Sequence, residues 1–358
     1  MSAWVREGRG RGAASGGGDE PGGDGIGHAR LGMPLGQGEA FARWLGQARA
    51  LRLPHGFLVE GARGSGKSTV IDWLAAALLC PSELDRDGPC GVCRTCTRIA
   101  NRQHPDVHVL DLAQDEAERK ELKKSFYEIT VGQVRQAQEL LARHAVEGRA
   151  RVLVVEDADH LAEEGQNALL KTLEEPGVAT FLLLEASRPE QLLPTVRSRV
   201  QRLRVLPLPA DVLEREIFRR LPQAAARVPD AIALSGGSLG QALAACTERA
   251  VQLHHLVQAM LADVHRLRPV ATARAVLQNV EERRHELDAA REFLWLLRAE
   301  LRRRTSALAA AADGSYGASS AEPWTTWLEL TLAAERDLDL LIPPEQVLTA
   351  CLVQFLPA

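Results

Sequence analysis

Regular patterning of apolar and polar positions begins near Leu35. EAFARWLGQARAL (39–51) sets apolar residues at helical spacing, and Pro54 marks its end. GFLVE (56–60) is a short apolar run opening into a Gly-rich loop, and TVIDWLAAALLC (69–80) predicts a helix that starts inside that loop. DVHVLDL (106–112) reads as a strand, TVGQVRQAQELLARHAV (130–146) as an amphipathic helix, and RVLVVEDAD (151–159) as a buried strand ending in acids. NALLKTLEE (167–175) predicts a helix stopped by Pro176 and Gly177, TFLLLEA (180–186) a strand, and LLPTVRSRV (192–200) a short helical turn. Continuous apolar strands alternating with helices predict a parallel sheet covered on both faces. This α/β unit ends near Val205.

Beyond it the pattern is helical. PADVLEREIFRRL (209–221) and GQALAACTERAVQLHHLVQAML (240–261) predict amphipathic helices separated by ALSGGS (233–238). Boundaries fall near Pro207 and Arg266, and the last stretch holds long helices interrupted by AADGSYGASSAEP (311–323), a flexible loop. The charged run AQDEAERKELKKSF (113–126) predicts an exposed excursion. Residues 1–30 are Gly-rich and too poor in apolar groups to offset the entropy of ordering, so a disordered leader is expected.

Composition narrows the class. At 358 residues, 46% hydrophobic and 25% charged, the chain has room for two or three globular domains. Its net charge of −4 argues against a protein that coats nucleic acid by bulk electrostatics. The absence of a long apolar run and of a signal-peptide core predicts a cytoplasmic protein with no membrane partner.

Gly61, Gly66, Lys67 and Ser68 satisfy G-x-x-x-x-G-K-[ST] in the run GARGSGKST, which also brings Gly64 and Thr69 to the loop. Glycines let successive backbone N–H groups turn inward around phosphates, and the following helix N-terminus favours negative charge. Lys67 would reach the β- and γ-phosphates of ATP or ADP, and the Ser68 hydroxyl would ligate Mg²⁺. Only five lysines occur in the chain, so one is rarely placed here by chance. Glu156 and Asp157 end the next buried strand, where such a site needs one acid beside Mg²⁺ and one to polarise water. Acids that merely finish a strand at the solvent edge are the plainer reading. Asp157 is short for orienting an attacking water, and small misplacements are costly in that chemistry.

Four of the six cysteines, Cys80, Cys90, Cys93 and Cys96, crowd into one insertion. Four soft ligands suit a closed, structural Zn²⁺ site, with buried or redox-active thiols as the rival. His104 and His108 more simply flank the following strand. Arg94, Arg98 and Arg102 are too few, and too bare of interleaved aromatics, for a nucleic-acid-binding zinc module.

Together these features resemble the bacterial clamp-loader branch of the AAA+ ATPases, over about residues 35–250. LRLPHGFLVEGARGSGKST is similar to that family's entry into its nucleotide site, the four cysteines to its zinc insertion, and NALLKTLEEPG with LLPTVRSRV to its most specific motifs. The resemblance implies an α/β AAA+ domain over 31–206 with the zinc module at 80–104. It further implies a small helical lid over 207–265 and an all-α collar over 266–358 that joins subunits in a ring. It implies that Arg199, beside Ser198 and with Val200 in place of the family's cysteine, reaches into a neighbour's ATP site. Ser187 falls where the family senses the γ-phosphate.

The gamma/tau motor type of subunit carries Asp-Glu at the strand end and an arginine in a Gly-Ser-x-Arg motif. This chain has Glu156-Asp157 and, within GGSLGQAL, Gly240. With Arg199 kept, that pattern resembles the delta-prime type, which lends its arginine and stays stationary. The implied partners are gamma/tau and delta subunits, the sliding clamp, and primed DNA through the complex. A gamma/tau motor and a free-standing nucleotide-binding regulator are the alternatives.

Overall fold

The computed structural model describes residues 34–37, 44, 46–48, 51–82, 88–112, 127–278, 283–311, 322–340 and 342–356. The leader, the 113–126 run and the centre of the 311–323 loop lie outside the described residues. The chain divides into two compact units at Leu208 and Pro209.

The first unit is built on strands β1 (Gly56–Glu60), β2 (Val107–Leu110), β3 (Arg151–Val155), β4 (Thr180–Ala186) and β5 (Gln201–Arg204). They form one parallel sheet in the order β2-β3-β4-β1-β5. Helix α1 (Lys67–Leu79) follows β1, α2 (Arg94–Ala100) follows the cysteines, and α3 (Val131–Leu141), α4 (Glu163–Glu174) and the short α5 (Pro194–Arg197) separate the later strands. Alternate residues of a strand face opposite sides. Thus Phe57, Val59, Val152, Val154, Phe181 and Leu183 pack with Val70, Ile71, Leu74 and Leu78 of α1. Leu58, Leu153, Val155, Leu182 and Leu184 pack on the other face with Val134 and Leu141 of α3 and Leu169 and Leu173 of α4. Apolar groups on both faces explain why these strands read as continuous hydrophobic runs.

Two departures from the sequence pattern have local causes. Helix α3 stops at Leu141 rather than running to Val146. The buried Asp106 carboxylate instead accepts the N–H groups of Val146 (2.6 Å), Glu147 (2.9 Å) and Gly148 (2.6 Å), and the Arg151 guanidinium donates to the carbonyls of Leu141 and Arg143. Strand β5 and helix α2 are not marked by periodicity, because β5 is an edge strand with only Leu203 buried and α2 is a two-turn helix inside the cysteine module.

The second unit is helical: α6 (Ala210–Arg220), α7 (Val228–Ser235), α8 (Leu239–Ala245), α9 (Glu248–Ala262), α10 (Pro269–Leu277), α11 (Arg283–Ala311), α12 (Glu322–Asp339) and α13 (Pro344–Val353). The stretch 240–261, which reads as one helix, is broken at Thr247, whose hydroxyl accepts the Ala250 N–H at 3.2 Å and caps α9. ALS of the expected spacer closes α7 before the left-handed Gly236. No helix among the described residues is long and apolar enough to cross a membrane.

Candidate nucleotide and metal sites

The loop from Gly61 to Gly66 leaves the end of β1 and feeds α1. Gly64 (φ 73°) and Gly66 (φ 95°) take left-handed conformations that side chains disfavour, and nothing lies within 4 Å of where a Gly66 Cβ would stand. Gly66, at the N-cap of α1, has no side chain to cap the helix start. The buried Ser65 hydroxyl also has no hydrogen-bond partner among the described residues. An open concavity ringed by donors fits a phosphate chain.

Lys67 is 3% exposed. Its ammonium donates to the Ala62 carbonyl at 3.1 Å and to Ser187 Oγ at 2.9 Å, and lies 3.8 Å from Glu185 Oε1. Ser68 Oγ donates to Glu185 Oε2 at 2.8 Å. Thr69 is exposed at the mouth of the loop. The sequence pattern therefore brings Gly61, Gly64, Gly66, Lys67, Ser68 and Ser187 together.

Glu185 is not part of the loop motif, and its one mark in the sequence is that of a lone acid in the apolar run TFLLLEA. Burial raises its pKa to about 7; the nearby Lys67 opposes the rise, and Asp157 and Glu156 add to it.

The two strand-end acids are placed differently. Glu156 is 2% exposed and ion-paired with the Arg102 guanidinium, which also lies 3.4 Å from Asp72 of α1. Burial alone would lower the Arg102 pKa, but Asp72, Glu156, Glu185 and Asp111 outweigh it and keep the cation charged. Asp157 sits in a left-handed conformation (φ 48°) at the turn after β3. Asp159, two residues on, accepts the N–H of Ser187 at 3.4 Å and of Arg188 at 3.2 Å, tying the β3 and β4 ends together.

The four sulfurs of Cys80, Cys90, Cys93 and Cys96 lie within 4.8 Å of one another, with pairs at 3.7 and 3.9 Å. A tetrahedral ion with metal–sulfur bonds of about 2.3 Å needs sulfur–sulfur edges of about 3.8 Å, so the quartet fits a metal ion. Backbone N–H groups of Cys93 and Cys96 point at the sulfurs of Cys90 (3.3 Å) and Cys93 (3.5 Å), which would soften thiolate charge. None of the four is in a disulfide. His104 stays outside the quartet, its Nδ1 accepting the Asp106 N–H at 3.2 Å. Helix α2 then carries the chain to Arg102, whose left-handed backbone (φ 59°) turns its side chain toward Glu156.

Arg199 stands apart from all of this. It is on the surface after α5, its Nε donating to Glu174 Oε1 at 2.7 Å and its Nη1 to the Thr195 carbonyl at 3.0 Å. Val200 is buried against the α3–α4 face of the sheet. Gly240 lies in the first turn of α8, capped by Ser238, and has no side chain to offer a phosphate.

A parallel sheet in the order 2-3-4-1-5, with a phosphate loop leaving β1, acids ending β3 and a helical unit after β5, defines an α/β AAA+ ATPase fold. Residues 36–209 match the family model described as "DNA polymerase III, delta subunit". Over that region the chain is similar to the delta-prime subunits of clamp-loader AAA+ proteins.

It is 39% identical over 186 residues to DNA polymerase III subunit delta' of Pseudomonas aeruginosa, covering 51% of this chain and 53% of that one. The identity to the Escherichia coli subunit of the same name is 33% over 204 residues, covering 57% and 58%. The chain thus spans about half the length of the curated relatives it matches. A solved gamma subunit-related protein of Thermotoga maritima aligns with a TM-score of 0.41 at 15% identity, over 87% of this chain and 98% of that one.

Proposed function

We propose that the chain is the delta-prime subunit of a bacterial DNA polymerase III clamp loader, a cytoplasmic complex that uses ATP to place the sliding clamp on primed DNA. The match of residues 36–209 to the delta-subunit family carries the reading. The partners are gamma/tau and delta subunits, with clamp and DNA met through the complex. Residues 207–265 serve as the lid and 266–358 as the collar.

ATP or ADP is held by the backbone of Gly61, Gly64 and Gly66, by Lys67, and by Ser68 and Thr69 at the helix start. Mg²⁺, when bound, supplies positive charge at the phosphates, and the Ser68 hydroxyl is its protein ligand. Zn²⁺ in the cysteine quartet is structural, since four thiolates leave no open position. Turnover in this chain's own site is weak. That reading is supported by the commitment of Glu156 to Arg102, by the short, left-handed Asp157 and by Gly240. Arg199 instead acts on the neighbour's ATP. Its pairing with Glu174 is exposed to solvent, so little is lost when the guanidinium exchanges that carboxylate for a phosphate across an interface.

Reconstitution from purified gamma/tau, delta and this chain tests the assignment. The expected result is a complex that loads clamp onto primed DNA only when this chain is included. A chain that stays apart from the other subunits, or whose omission leaves loading unchanged, contradicts it.

A further inference from the structure

We infer that Glu185, from the middle of the sheet, is the carboxylate that positions Ser68 for the divalent cation of a bound nucleotide, in place of Glu156 at the end of β3. The inference rests on the nucleotide-binding reading above and assigns the metal side of that site.

Three observations carry it. The first is contact: Ser68 Oγ, the hydroxyl at the metal-ligating position of the loop, donates to Glu185 Oε2 at 2.8 Å. A hydroxyl that spends its proton on a carboxylate turns its lone pairs outward to the cation, and such partners orient metal ligands. The second is topology. β4 is hydrogen-bonded to β1, with Glu185 opposite Val59, two residues before the loop begins at Gly61. β3 is a further strand away, so with strands about 4.8 Å apart Glu156 starts roughly twice as far across the sheet from β1. Phe181, Leu183 and Glu185 form one row on the α1 side of the sheet, which aims the carboxylate beneath the helix start.

The third is commitment. Glu156 already faces a permanent cation, the guanidinium of Arg102, which Asp72 also holds. Bringing Mg²⁺ to Glu156 would set two cations against one carboxylate. Among the described residues the cation in ion-pair range of Glu185 is Lys67, at 3.8 Å, with the Arg102 charge acting on it from farther off, and the Lys67 ammonium is released toward phosphate when nucleotide enters. Removing Lys67 from Glu185 leaves a buried acid whose charge a divalent cation would then balance.

The test is titration of the purified full chain with a fluorescent ADP analogue, with Mg²⁺ and with EDTA, for wild type, Glu185→Gln, Glu156→Gln and Ser68→Ala. The ratio of the two affinities isolates the cation's contribution, which a general loss of packing would not selectively remove. Loss of a partner that orients a metal ligand typically costs roughly 10–100-fold in metal affinity. Expected is a Mg²⁺ enhancement in wild type that Glu185→Gln and Ser68→Ala abolish, while both variants still bind the analogue in EDTA. Glu156→Gln should retain more of the enhancement than Glu185→Gln. The inference is overturned if Glu156→Gln loses the enhancement and Glu185→Gln keeps it. It is equally overturned if Glu185→Gln weakens binding by the same factor in Mg²⁺ and in EDTA. If wild type binds no nucleotide in either condition, the nucleotide reading itself fails, and the inference with it.

Discussion

The guanidinium of Arg102 closes on the carboxylate of Glu156, joining the end of the cysteine module to the end of the strand that carries the strand-end acids. Asp72 of α1 completes the cluster at 3.4 Å. Both acids are almost fully buried, and breaking one side of such a pair leaves an uncompensated charge, at a cost of about 3–5 kcal/mol. Arg102 is one-fifth exposed, so the low end applies. Arg102→Ala should lower the thermal midpoint of the chain clearly, and Arg102→Lys should restore part of the loss, because both carboxylates meet one guanidinium nitrogen, Nη2, and an ammonium supplies the same charge on a shorter stem. A midpoint unchanged in the alanine variant would show that the cluster contributes nothing net.

The cysteine quartet sits directly upstream of that cluster. Purified chain should contain on the order of one zinc ion, and Cys96→Ser should lose it. Burial raises the Cys96 thiol well above the usual cysteine range, so metal uptake by the stripped protein should release protons, measurable with an indicator dye in weak buffer. Metal content that survives Cys96→Ser would remove the quartet as the site.

Glu185 makes a prediction about pH. Its pKa is about 7 in the fold against 4.5 ordinarily, so the fold favours the protonated acid. The protonation advantage is therefore full below pH 4.5, and stability from this group is lost as pH rises from there through about 7. Glu185→Gln keeps a neutral side chain at every pH and escapes that loss. In nucleotide-free protein, the thermal midpoint of the variant relative to wild type should rise between pH 5 and pH 8. A difference independent of pH would contradict the burial argument.

Asp106 shows the opposite sign. Burial works against its ionisation, but the N–H groups of Val146, Glu147 and Gly148 outweigh that and hold its pKa below the usual 3.8. Its contribution is therefore present above the usual value and disappears as pH falls through the lowered one. Asp106→Ala orphans those three donors and should cost about 3 kcal/mol at pH 7, read as a loss in chemical-denaturation stability. A loss below about 0.5 kcal/mol would mean that water replaces the carboxylate without penalty.

Much of the first unit is legible in the sequence because its central strands are buried on both faces and punctuated by Gly and Pro. The β1–loop–α1 passage and the four cysteines are legible because their chemistry depends on residues close in sequence. Glu185 and Arg102 are not legible in that way. Their roles depend on β4 lying between β3 and β1, and on a left-handed turn at Arg102, neither of which spacing encodes. Strand β5 was hidden because an edge strand with one buried residue has no apolar run to read. The break at Thr247 was hidden because apolar spacing continues across it while a single capping hydroxyl decides the backbone.

The most direct measurement of the central claim is DNA- and clamp-stimulated ATPase of the reconstituted loader, with wild-type chain and with Arg199→Ala. The exposed Arg199–Glu174 pair should contribute no more than about 1 kcal/mol to stability, so assembly should be unaffected by the substitution. An arginine acting across the interface contributes about 10³-fold or more at the site it serves, so the stimulated rate should collapse in an intact complex. A stimulated rate equal to wild type, in a complex that has assembled normally, would contradict the account.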